Sequence, residues 1–122
     1  MDHADAVTFA DAAQWEAWLA DHHDRERDVW LRIAKRGSTT STVTIGEALD
    51  VALCWGWIDS QRKAGDEDHY LQRYSPRRQA SPWSQINAAR AQALDAAGRM
   101  RAPGRAAMRA AQADGRWPAA DP

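Results

Sequence analysis

The stretch 43–62, VTIGEALDVALCWGWIDSQR, constrains the fold more than any other part of the chain. Thr44 is a helix N-cap type, and Glu47 stands three residues on, where it completes a capping box. Val43 is placed to staple onto Ala48. Ile45, Ala48, Leu49, Ala52 and Leu53 repeat at helical spacing, and Val51, Cys54 and Trp55 extend the apolar surface nearly all round. A helix whose only polar edge is Glu47 and Asp50 belongs inside a protein. Gly56 can end it in a left-handed conformation, and 57–62 then reads as a strand leaving the core.

The other elements have to cover that helix. At 122 residues the chain suits one domain, with an ordered core expected from about residue 8 to residue 117. A disordered start is expected to about Val7. Asp11 and Gln14 resemble a capping box, followed by Trp15, Trp18, Leu19 and His22 on one helical face. Residues 29–35 alternate as a strand, with Val29, Leu31 and Ile33 on one side and Trp30 and Arg32 on the other. A polar Gly/Ser/Thr loop, 36–42, precedes the central helix. After its strand, 64–67 signals a turn and 69–74 returns as the second arm of a hairpin. Ser81 as N-cap and Pro82 in the first turn open a helix with Ile86, Ala89, Ala93, Leu94 and Ala97 as its stripe, ending at Gly98. Pro103 opens an Ala-rich helix to about Ala113, stopped by Gly115, and 116–122 reads as a frayed end. The order α-β-α-β-β-α-α predicts an α+β fold: about three mainly antiparallel strands packed with about four helices.

The hairpin has two candidate registers. A three-residue loop, 65–67, places Asp59 opposite Arg73 and Ile58 opposite Tyr74; a four-residue loop places Asp59 opposite Gln72. Cross-strand charge and aromatic–branched pairs each stabilise by about 0.2–1 kcal/mol, which selects the Asp59–Arg73 register.

Seven tryptophans against one phenylalanine point to indole-rich packing. The lone Cys54 cannot form an internal disulfide. No apolar run reaches membrane-spanning length and the first residues are acidic, so a cytoplasmic protein that does not span a membrane is expected. Charge is lopsided: residues 1–72 hold 7 Lys+Arg against 14 Asp+Glu, and residues 73–122 hold 9 against 3. Such halves either complement each other within the fold or leave the basic one for an anionic partner.

Cys54 falls at the C-terminal end of an apolar helix, where the dipole disfavours a thiolate, so packing is its expected role. His22 and His23 point different ways on a helix, and His3 and His69 lack ligand-spaced partners, so no metal is implied. No nucleophile-elbow, phosphate-loop or dinucleotide glycine pattern is present, and no cofactor is expected. The stretch 73–84, RYSPRRQASPWS, is the binding candidate. Arg73, Arg77 and Arg78 precede a helix start marked by Ser81, with Trp83 and Ser84 beside it, a combination suited to phosphate or carboxylate. Asp59, Trp57 and Lys35 are supporting candidates.

WEAWL at 15–19, VWL at 29–31 with Lys35, EALD at 47–50, CWGWID at 54–59, YSPRR at 74–78, SPWSQIN at 81–87, GRM at 98–100 and DGRW at 114–117 together resemble the bacterial YdeI/OmpD-associated, or bacteriocin-protection, family. The resemblance runs through nearly the whole chain in order. It implies a stress or envelope-associated role in tolerance of antimicrobial peptides, with porin association, and no assigned reaction or catalytic residue. Members commonly continue into a basic C-terminal segment; any function seated in it is expected to be absent here, or the protein to be a short variant.

The expected function is therefore a non-catalytic binding protein that recognises an anionic ligand or a protein partner through its Arg-rich loop. One alternative is a nucleic-acid binder using Arg90, Arg99, Arg101, Arg105 and Arg109, which the negative overall charge and the lack of a reader motif disfavour. The other is a small enzyme with a pocket near Trp57, Asp59 and Arg73.

Overall fold

The computed structural model describes residues 6–78 and 81–118. Its elements follow the expected order: α1 (Ala12–His22), β1 (Val29–Ala34), α2 (Ile45–Cys54), β2 (Trp57–Ala64), β3 (His69–Pro76), α3 (Gln85–Ala96) and α4 (Ala102–Ala113). The strands form one antiparallel sheet in the order β1-β3-β2, so the fold is α+β.

Two apolar clusters meet at α2. On one side Ala48, Val51 and Ala52 pack with Trp15 and Leu19 of α1 and with Val29, Leu31, Ile33, Trp57 and Tyr74 of the sheet. Around its C-terminal end, Leu53 and Cys54 pack with Trp83, Ala91 and Leu94, and with Met100, Met108 and Ala111. The capping box forms in both directions, Thr44 Oγ1 accepting from Glu47 N and Glu47 Oε1 accepting from Thr44 N. Gly56 follows at φ +77°. Indoles fasten the layers: Trp15 Nε1 donates to the Ala48 carbonyl at 3.0 Å, and Trp57 Nε1 to the His23 carbonyl at 3.3 Å.

Four expectations need correction. Val7 is not part of a disordered start, because it bridges β1 in parallel, donating to the Trp30 carbonyl and accepting from Arg32 N. Ser84, not Ser81, caps α3, with its Oγ accepting from Asn87 N; residues 81–84 precede the helix. The buried face of α3 is Ala88, Ala91 and Leu94, so only Leu94 of the predicted stripe lies on it, and Ile86 is 75% exposed. Two of the three buried positions are alanines, which a count of large side chains does not reveal. At the other end, Arg116 and Trp117 are partly buried, and Trp117 packs on Trp83 with ring centroids 4.9 Å apart.

The predicted hairpin register also fails. Asp59 pairs with Tyr74 and Ile58 with Ser75, then the register shifts, and Arg62 pairs with Gln72. Ser60 and Gln61 thus oppose the single residue Arg73, a β-bulge. The buried Gln72 amide fills the opening, donating to the Gln61 and Arg73 carbonyls and accepting from Arg62 Nε. An interior amide satisfied in this way holds the irregular register at little desolvation cost.

Candidate functional site

The bulge and the end of β3 bring arginines together beside residue 81. Arg73, Arg78 and Ser81 line an open groove of about 440 Å³ with Arg27, Ile58, Ser60, Ser75 and Pro76. Arg73 reaches it from the sheet face opposite Tyr74, and its Nε donates to Asp28 Oδ2 at 2.8 Å. Asp28 therefore neutralises part of the Arg73 charge, while Arg27 and Arg78 are exposed. Guanidiniums and serine hydroxyls in one concavity offer several donors to an anion with little competition from carboxylates.

Arg77 turns the other way. Its guanidinium carbon lies 3.9 Å from the centroid of the Trp83 ring, and its Nη2 donates to the Pro82 carbonyl at 2.8 Å. Beside it, Arg116 Nη1 donates to the Ser81 carbonyl at 3.0 Å, and Arg116 Nε is held by the Asp114 carboxylate at 2.8 Å. Burial first, and then the like charge of Arg116, hold the Arg77 pKa below its ordinary value, against the weaker opposite pull of Asp59. Arg77, Arg78, Trp83, Arg116, Ala107 and Ala110 line a second cavity, of about 170 Å³. Arg78 lines both cavities.

The structure thus brings Arg73, Arg78 and Ser81 together in the groove, and Arg77 and Trp83 in the smaller cavity. Ser84 spends its hydroxyl on the α3 cap. The three supporting candidates stand elsewhere. Trp57 is buried against the helices, 1% exposed. Asp59 shares the Tyr74 face and so is directed away from Arg73; the predicted ion pair, and Asp59 as its anchor, are wrong because the bulge adds a residue to β2. Lys35 follows the far end of β1, five residues and roughly 16 Å of strand from the Trp30–Arg73 pair. An enzyme pocket walled by Trp57, Asp59 and Arg73 is not formed, since the first two and the third occupy opposite faces of the sheet.

Sequence reasoning missed Arg27 and Arg116. Arg27 belongs to the charged cluster that ends α1, where nothing distinguishes it from its neighbours until the β1–β3 pairing sets Asp28 beside Arg73. The signal for Arg116 is the aromatic that follows it, because Trp117 after a helix-ending Gly115 indicates a chain that turns back onto the core.

The basic half serves the fold to a large extent. Arg90 pairs with Asp50 and also donates to the Gly46 carbonyl. Arg101 pairs with Glu16 at 3.1 Å, and Arg105 donates to the Met100 carbonyl. With Arg73–Asp28, three ion pairs among the described residues join the basic half of the chain to the acidic half.

The described residues contain no group of three His, Cys, Asp or Glu able to hold a metal ion. His22 and His23 both donate from Nδ1 to carbonyls one turn back, those of Trp18 and Leu19, and His69 lies 3.0 Å from Asp66. His3 lies outside the described residues. No helix among them is long and apolar enough to cross a membrane.

No curated protein and no solved structure matches the chain. A family model described as a domain of unknown function, DUF8412, matches residues 7–107, from the Val7 bridge into α4. That span covers far more than half of the chain, and the protein belongs to the DUF8412 family.

Proposed function

We propose that the protein is a non-catalytic binding protein that recognises an anionic partner through the groove of Arg27, Arg73 and Arg78. The single observation that carries this reading is the convergence of those three guanidiniums with Ser60, Ser75 and Ser81 on one open concavity. The resemblance to YdeI/OmpD-associated proteins adds a stress- or envelope-associated setting and an antimicrobial-tolerance role to the same reading. Arg90, Arg101 and Arg105 are tied within the fold, which favours a local anion site over a broad nucleic-acid surface.

Titration with inorganic phosphate, followed by backbone amide shifts, tests it. Saturable shifts at Ser60, Ser75 and Ser81, weakened about tenfold by Arg27→Ala with Arg78→Ala, are expected for the loss of charge-assisted bonds. Absence of saturable shifts in the parent protein, or equal affinity in the double variant, rules the groove out.

A further inference from the structure

The smaller cavity has a composition that the groove lacks. Arg77 and Arg116 line it together with Trp83, Ala107 and Ala110. Both are anchored, since they donate to the consecutive carbonyls of Pro82 and Ser81. Arg116 has the Asp114 carboxylate, whereas Arg77 has no ion-pair partner among the described residues. Its Nε is buried and meets no acceptor there. Half-buried charges are normally paired, and truncating or omitting a partner leaves the desolvation of the remaining charge uncompensated. The charge of Asp59 reaches Arg77 without bonding it, so the Nε–H is a donor still able to take a charged acceptor.

Size and wall chemistry narrow what that acceptor is. Sites for drug-sized ligands occupy about 300–1,000 Å³, so a cavity of about 170 Å³ admits a terminal group only. The Arg77 guanidinium, held over the Trp83 ring, is a planar fork of N–H donors, the geometry that matches a carboxylate. Alanine methyls and an indole favour an apolar stem behind the charged group.

Resting on the anion-recognition reading above, we propose that the Arg77–Trp83–Arg116 pocket receives a carboxylate on a short apolar stem, the terminal group of a ligand whose remainder lies in the adjoining groove. Arg78, which lines both, is the junction. An alkyl carboxylate fits this description, and phosphate is the competing group.

The test uses propionate and inorganic phosphate as separate probes of the whole protein, read from the Arg77 Nε–H and Trp83 indole N–H resonances. Propionate is expected to shift both saturably at millimolar concentrations. Arg27→Ala, on the groove side, should leave those shifts unchanged, so failure of the groove and failure of the pocket are separable. Arg116→Gln should weaken propionate about tenfold, as expected for one charged donor, and its thermal unfolding shows that the fold is retained. Arg77→Lys, which keeps the charge but loses the fork, should also weaken it. Absence of a saturable response to propionate, a response to phosphate alone, or equal affinity in folded Arg116→Gln would each overturn the proposal.

Discussion

Gly104 lies against the end of α2 so closely that a Cβ built on it would stand 2.3 Å from the Cys54 carbonyl oxygen and 2.7 Å from that of Leu53. The obstructing atoms are backbone, so no rotamer change relieves them. Alanine gains about 1 kcal/mol over glycine inside a helix, but overpacking costs about 1–3 kcal/mol or more, and a clash with rigid backbone falls at the upper end. Gly104→Ala is therefore expected to destabilise the protein. Urea unfolding measures it, and an unchanged or higher midpoint contradicts the close approach.

Tyr74 presents the opposite case. Its ring is fully buried, 5.4 Å from the ring of Trp15, yet its hydroxyl meets no partner among the described residues. Burial, and then the charge of Asp59, push its pKa well above the ordinary tyrosine value. A hydroxyl desolvated without a bond contributes nothing favourable, so Tyr74→Phe should be neutral or stabilising by about 1 kcal/mol. A thermal melt lowered by the substitution would show that the hydroxyl is bonded.

Glu16 links three elements. One of its carboxylate oxygens, Oε2, accepts from Trp55 Nε1 at 3.0 Å and from Arg101 Nε at 3.1 Å. Burial alone would raise its pKa, but the bonds from Arg101 and Trp55, with the charges of Arg101 and Arg99, together hold it below the ordinary value. The folded state therefore binds its proton less readily than the unfolded state does. The stabilisation is complete above the unfolded carboxyl pKa of about 4.3 and is lost as pH falls through the depressed folded value. Glu16→Gln should be less stable than the parent at neutral pH, with the gap closing in acid; a gap independent of pH would refute the linkage.

Cys54 is 2% exposed, and burial pushes its thiol pKa up to about 11. At pH 7 about one thiol in ten thousand is then ionised, and reagent has no path to it in the native fold. Alkylation should proceed at the rate of unfolding and accelerate with urea. Native-state labelling as fast as that of a free thiol would place the sulfur at the surface.

The parts of the fold set by short-range chemistry were legible. Thr44 with Glu47, the alternation of Val29, Leu31 and Ile33, and the glycines at 56, 98 and 115, all at positive φ, each act within a turn or a strand. Long-range relationships were not. The bulge at Ser60 and Gln61 depends on Gln72 entering the core across the strand pair, and no local pattern in β2 announces it. The candidate site was half legible for the same reason. Arg73, Arg77 and Arg78 are adjacent in sequence, but alternation along β3 and the stack on Trp83 divide them between two cavities. Arg27 and Arg116 join them only through tertiary packing.

The irregular step in β2 also governs how the sheet meets other molecules. In the order β1-β3-β2, β2 is one of two outer strands, and an outer strand that ran straight would present unpaired backbone groups as a template for a second chain. Here the ladder breaks after Asp59, and Arg62 and Lys63 follow immediately at the rim. An incoming strand would lose register at the break and meet two positive charges just beyond it. The insertion that diverts Asp59 from Arg73 thereby makes this margin a poor template for open-ended β-assembly.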